Sequence, residues 1–212
     1  ELVDGLVGSE MCIRDRYYYR YDTRPKNIGW GFCLQWVFFT VIGFFISLMF
    51  VEVDVRPYVG AISGAIGGAV VGLAQWLVLR NRIFQSRWWV VVSIVAWLLI
   101  GASSLGALGW LAPGTEEIWL RLFYGVINGA IVGGILGLAQ WFVLRKQIYC
   151  QKWWIIVSIV AWTFGLPLGW LVGVLVYGAI GLFIGEVIGL FVTWFFVALI
   201  TGIALMRSLQ VQ

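Results

Sequence analysis

The sequence predicts an all-α integral membrane protein of six transmembrane helices, built from parallel two-helix repeats with glycine-zipper packing. Three observations carry this expectation. Of the 212 residues, 62% are hydrophobic and 11% charged, with a mean hydropathy of +0.96, whereas soluble domains carry about 25% charged residues. Six apolar stretches of bilayer length follow one another, roughly at 29–51, 58–80, 88–111, 121–144, 153–173 and 187–207, since about 20 helical residues cover the ~30 Å of a hydrocarbon layer. Finally, GAISGAIGGAVVGLAQWLVLR at 60–80 returns as GVINGAIVGGILGLAQWFVLR at 125–145.

Residues 1–28 form a polar segment, expected on the cytoplasmic side. Its stretch Glu10-Met11-Cys12-Ile13-Arg14-Asp15-Arg16 resembles translated adapter sequence, so nothing is built on the residues before about Tyr17. Tyr17, Tyr18, Tyr19 and Tyr21, mixed with Arg20, Arg24 and Lys26, read as the basic flank of a first span. No signal peptide is visible, because no short apolar run ends in a small-residue cleavage site.

Charge fixes the expected orientation. Lys and Arg precede the first span (Arg14, Arg16, Arg20, Arg24, Lys26) and follow the second (Arg80, Arg82, Arg87), the fourth (Arg145, Lys146, Lys152) and the sixth (Arg207). The opposite side receives Arg56 and Arg121 with the acids Glu52, Asp54, Glu116 and Glu117. By the positive-inside rule both termini, including the tail 208–212, are cytoplasmic, as in a bacterial inner membrane, or a thylakoid membrane if the source is cyanobacterial. The net charge of +4 and pI near 9.1 are explained by these flanks and imply no nucleic-acid partner.

Aligned at an offset of 65, residues 60–97 and 125–162 are about 60% identical, a duplication whose copies cross in the same direction. Gln35-Trp36, Trp88-Trp89 and Trp153-Trp154 stand at corresponding inner edges of the odd-numbered spans, followed by Thr40, Ser93 or Ser158 and then Gly43, Ala96 or Ala161. Three two-helix units result, and a pseudo-threefold axis along the membrane normal is one arrangement of them; a row is the other. In the last unit the only charge between 153 and 206 is Glu186. Matching Arg207 to Arg80 and Arg145 places Glu186 at the outer boundary; matching Trp194 to Trp141 instead buries it. The first is preferred, because an unpaired carboxylate in mid-bilayer costs several kcal/mol.

Gly60, Gly64, Gly68 and Gly72, and again Gly125, Gly129, Gly133 and Gly137, recur every fourth residue. Each set makes a ridge without side chains, on which another helix can lie closely. Gln75 and Gln140, with Gln35 as their counterpart, lie one to two turns from an arginine or the membrane edge, where an amide pairs with a neighbouring helix or reaches water. Together with Asn128 and Glu186, Gln75 and Gln140 are the candidates for a polar path or ligand contact. Asn128 and its match Ser63 read as interhelical hydrogen-bonding positions, while Ser93 and Ser158 are expected to bond their own helix backbone. Arg80, Arg87, Arg145 and Lys152 bracket the inner loops and are candidates for lipid headgroup contact.

The fourteen tryptophans sort into belts: Trp30, Trp36, Trp76, Trp88, Trp89, Trp141, Trp153 and Trp154 at the inner interface, and Trp110, Trp119 and Trp170 at the outer. Trp97, Trp162 and Trp194 lie deeper and are expected to pack against the glycine ridges.

Catalysis has little to work with. The chain has no histidine, and its three cysteines, Cys12, Cys33 and Cys150, show no CxxC spacing. There is no carboxylate pair within a span, no nucleophile beside a base and no P-loop lysine, so no enzyme activity, cofactor or metal site is expected.

The strings GLAQWLVLR and GLAQWFVLR, each followed seven residues on by Trp-Trp, resemble a family of multi-span membrane proteins common in cyanobacteria and some other bacteria. The resemblance covers about 29–207, although the last span lacks the motif, and it implies no assigned activity. The expected function is that of a non-enzymatic structural, assembly or lipid-interacting membrane component, with lipids as partners and with self-association or another membrane protein open. The alternative is a small channel or transporter for a neutral or apolar solute.

Overall fold

In a computed structural model of the chain, residues 28–53, 60–145 and 152–210 are described. The basic, tyrosine-rich segment before residue 28, Asp54, Arg56, Lys146, Cys150 and the last two residues lie outside them. Six helices follow in order: α1 (Trp30–Ser47), α2 (Ala61–Leu79), α3 (Arg87–Ala102), α4 (Ile118–Leu144), α5 (Lys152–Ile180) and α6 (Ile184–Gln210). Five of them are long and apolar enough to cross a membrane; α3, with 16 residues, is shorter.

Each helix packs on its neighbours in sequence, and α6 packs back on α1, so the six form a closed ring; among the described residues no helix pairs across it. The interior divides into two apolar clusters. One, around Phe32, Trp36, Trp89, Trp154 and Leu205, lies towards the end of the bundle that carries Arg80 and Arg145. The other, around Phe44, Trp97, Trp110, Trp162 and Trp194, fills the rest. Large apolar side chains such as Leu34, Phe38, Ile62, Phe123 and Phe164 point outwards, as they do on a helix solvated by lipid tails.

The glycines stand where neighbouring backbones come closest. A methyl group at Gly68 would lie 2.7 Å from Cβ of Trp97, one at Gly72 3.0 Å from Cβ of Ser93, and one at Gly64 would run into the Trp97 carbonyl. On α4, Gly125 abuts Pro167, Gly129 the Trp162 carbonyl, and Gly133 and Gly137 abut Ser158. Gly60 caps α2, and its carbonyl blocks a methyl group at Gly101. The faces opposite are ordinary helix surface with serine, tryptophan and proline, so the contact is one-sided. Between α5 and α6 glycine does meet glycine, with Gly169 and Gly173 against Gly189. Gly165, Gly169 and Gly173, all inside the expected fifth span, repeat the four-residue spacing.

Two boundaries differ from expectation. The third span, expected to reach 111, stops at Ala102; of the connection 103–117 the part from 106 to 112 turns inwards, with Gly106 at φ 67°. Ala107, Leu108, Trp110 and Ala112 are buried, and the segment is tied to the bundle by Trp110 Nε1 donating to Ser47 Oγ (2.7 Å) and Trp194 Nε1 donating to the Gly109 carbonyl (3.0 Å). Irregular backbone at such depth is tolerated when protein rather than lipid surrounds it. The long apolar turn expected between the fifth and sixth spans shrinks to residues 181–183. α5 continues to Ile180, and Gly181, at φ 68°, ends it with its N–H on the Tyr177 carbonyl (2.7 Å), a left-handed cap that needs no Cβ.

Substituting Gly133 by alanine puts a methyl group 2.5 Å from the Ser158 carbonyl oxygen, a backbone atom that cannot step aside without moving α5. Such overpacking costs about 1–3 kcal/mol. Gly178, with nothing near its missing side chain, serves as the control: thermal unfolding in detergent is expected to drop for Gly133→Ala and to stay unchanged or rise for Gly178→Ala.

Candidate functional site

The Trp-Trp doublets place one ring on each side of the helix wall, because successive residues point about 100° apart. Trp88 and Trp153 face outwards, as interfacial tryptophans do, whereas Trp89 and Trp154 are buried. Each buried indole donates to a glutamine on the preceding helix: Trp89 Nε1 to Gln75 Oε1 (2.9 Å) and Trp154 Nε1 to Gln140 Oε1 (3.1 Å). Gln75 in turn donates from Nε2 to Thr40 Oγ1 (3.3 Å). The corresponding residue on α1, Trp36, donates from Nε1 to Thr201 Oγ1 on α6 (3.1 Å), and that hydroxyl donates to the Val197 carbonyl.

Trp36, Trp89 and Trp154 meet edge to face, at 5.8 Å for each neighbouring pair. Further along the axis Trp97, Trp110, Trp162 and Trp194 form a second layer with centroids 4.8–5.7 Å apart. Rings of the two layers bound a cavity of about 30 Å³ whose polar wall is made by Gln75, Gln140, Ser93, Ser158 and Thr201. That is room for one or two waters and no more. Ser93 Oγ, expected to bond its own helix, is buried there without a partner.

The candidate polar residues therefore separate. Gln75 and Gln140 share the cavity; Asn128 is half-buried on α4, lies outside it and makes no hydrogen bond among the described residues. Glu186, expected at the outer boundary, is buried in the first turn of α6 and pairs with Arg121 from the first turn of α4, Nη1 to Oε1 at 2.8 Å. The same guanidinium donates to the carbonyls of Thr115 (2.6 Å), Trp170 and Pro113 (both 3.3 Å). Arg121 was assigned to topology; instead it holds the irregular segment, α5 and α6 together at the end opposite Arg80. A carboxylate also favours a helix N-terminus, which Glu186 occupies.

Tryptophan placement is corrected in the same way. Trp36, Trp89, Trp110, Trp154 and Trp170 are core residues and not belt residues, while Trp30, Trp88, Trp119 and Trp153 are exposed. Of the headgroup candidates, Arg80, Arg87 and Arg145 are exposed, Arg145 stacking over Phe142 at 4.9 Å; of Lys152 only the backbone, at the start of α5, is described. Gln35, taken as the counterpart of Gln75, is exposed and accepts from Arg82 Nη2 (3.0 Å). Thr40, Thr201 and Arg121 were missed. The signal for the indole bonds was present, since Gln75 and Trp89 keep the same 14-residue separation as Gln140 and Trp154. No group of metal-binding side chains occurs among the described residues.

This arrangement defines a helical membrane bundle with a closed, tryptophan-filled interior. Comparison with protein-family models, with curated proteins and with solved structures finds no match.

Two measurements test the site. In a double-mutant cycle on Gln140→Leu and Trp154→Phe, unfolding in detergent is expected to give a coupling of about 0.6 kcal/mol, the mean for interhelical bonds in membrane proteins, and no more than about 1.7 kcal/mol, their maximum. Arg121→Met, which strands a buried carboxylate, is expected to cost about 3–5 kcal/mol, and adding Glu186→Met should recover most of it.

Proposed function

We propose that the protein is a non-enzymatic integral membrane component that acts through its packed helical body, in a structural, assembly or lipid-interacting role. The observation that carries this reading is the filled axis: two tryptophan layers leave a cavity of about 30 Å³ between them. A conduit for even a small solute needs a continuous lumen, and the indoles of Trp36, Trp89, Trp110, Trp154 and Trp194, each hydrogen-bonded to a neighbouring element, stand along the axis where one would open. Further support comes from the buried charges. Arg121 and Glu186 are committed to each other, which leaves neither as an ion-coupling group of the kind pumps use.

A channel or transporter reading would place Gln75, Gln140, Asn128 and Glu186 on one path; Asn128 and Glu186 lie away from the cavity that Gln75 and Gln140 share. Proteoliposomes containing the full chain are expected to pass glycerol, urea and short alcohols no faster than protein-free vesicles do. Flux that appears with the native chain, and disappears in folded Gln75→Leu and Gln140→Leu variants, would replace this reading with transport.

A further inference from the structure

Between α1 and the end of α2 a groove of about 510 Å³ opens on the bundle surface. Its apolar floor is made by Phe39, Leu77 and Val78, and its head by Gln35, Arg80, Asn81 and Arg82. Arg82 is held in place from three sides. Nη1 donates to the Val78 carbonyl (2.7 Å), Nη2 donates to Gln35 Oε1 (3.0 Å), and the guanidinium lies 4.8 Å from the centre of the Phe32 ring. A guanidinium has five N–H groups, so three remain for another acceptor. The side chain of Arg80, two residues away and exposed, makes no hydrogen bond or ion pair among the described residues.

Among the described residues the head of the groove thus carries two cations and no carboxylate. Partial burial lowers the pKa of Arg82, the mark of a cation that water solvates incompletely. Leu77 and Phe39 continue the same groove along the lipid-facing wall, Leu77 being exposed and Phe39 half-buried. A ligand that satisfies both parts has an anionic, hydrogen-bond-accepting head and a hydrocarbon chain. The feature belongs to one unit only: 65 residues on, the position of Arg82 is occupied by Gln147, so the packing of the repeated helices does not require an arginine there.

We propose that this groove binds an anionic phospholipid, its phosphate between Arg80 and Arg82 with Asn81 and Gln35 as further hydrogen-bonding partners, and one acyl chain along Leu77 and Phe39. The assignment rests on the lipid-interacting role above and gives it a site and a lipid class.

Native mass spectrometry of the delipidated full chain, titrated with phosphatidylglycerol, with phosphatidylcholine and with inorganic phosphate, tests it. Phosphatidylglycerol is expected to be retained in preference to phosphatidylcholine, and Arg80→Gln and Arg82→Gln are each expected to weaken it about fivefold, the effect of one basic residue at a membrane surface. Arg145→Gln, which changes the corresponding arginine of the other unit, should leave it unaltered. Because the Arg80 side chain bonds no described residue, Arg80→Gln carries the test even if Arg82→Gln fails to fold. Equal retention of the two lipids, or insensitivity to Arg80→Gln, overturns the proposal, and so does full displacement of phosphatidylglycerol by inorganic phosphate, which would mark a free-phosphate site. Solute flux through the protein would instead overturn the non-transport role, whatever the lipid result, so the two failures are distinguishable.

Discussion

An indole turned towards the inside of a membrane bundle brings an N–H group for which lipid offers no acceptor. In a hydrocarbon surrounding, an unpaired polar group costs several kcal/mol. The three indoles of the first layer meet this constraint across helix boundaries: Trp89 on Gln75, Trp154 on Gln140 and Trp36 on Thr201. Each bond ties an odd-numbered helix to the even-numbered one before it around the ring, with α6 preceding α1. The unit defined by this chemistry is therefore α2 with α3, α4 with α5, and α6 with α1, one helix out of step with pairs counted from the N-terminus.

The close backbone approaches serve the same end. Hydrocarbon gives helices no hydrophobic reason to associate, so van der Waals fit must supply it. Glycines on α2 and α4 let α3 and α5 come near enough for Trp89 and Trp154 to reach their glutamines without stretching. Where α3 ends early, the segment 103–117 fills the gap with Trp110 and Leu108. Its backbone survives at that depth because Trp194 and Arg121 donate to its carbonyls, while Ser47 holds the Trp110 indole. A short helix and an inward loop thus do the work that a sixth full-length span would otherwise do.

Much of this was legible in the chain. The all-helical class and the number of helices follow from hydropathy and spacing, which report on length directly. What hydropathy does not carry is direction. Trp88 and Trp89 score alike, although one faces lipid and the other the axis, so belts were expected where half of the rings are core. Residues 103–111 are apolar enough to continue a helix; that those from 106 onwards turn inwards depends on Trp110 finding Ser47, a contact between positions 63 residues apart. Glu186 was kept at the boundary because an unpaired carboxylate is costly. The carboxylate does stand in the first turn of α6, at the end opposite Arg80, but buried, because Arg121 supplies the partner.

The closure of α1 on α6 has a consequence for how the ring is made. Trp36 and Thr201 are separated by 165 residues, so at ribosomal rates α6 emerges roughly 8–30 s after α1. During that interval α1 lies in the bilayer beside α2 alone, its Trp36 N–H still without the threonine it will use. Insertion therefore proceeds as an open arc that grows one helix at a time, and the seam between the oldest helix and the youngest is the last joint to seal.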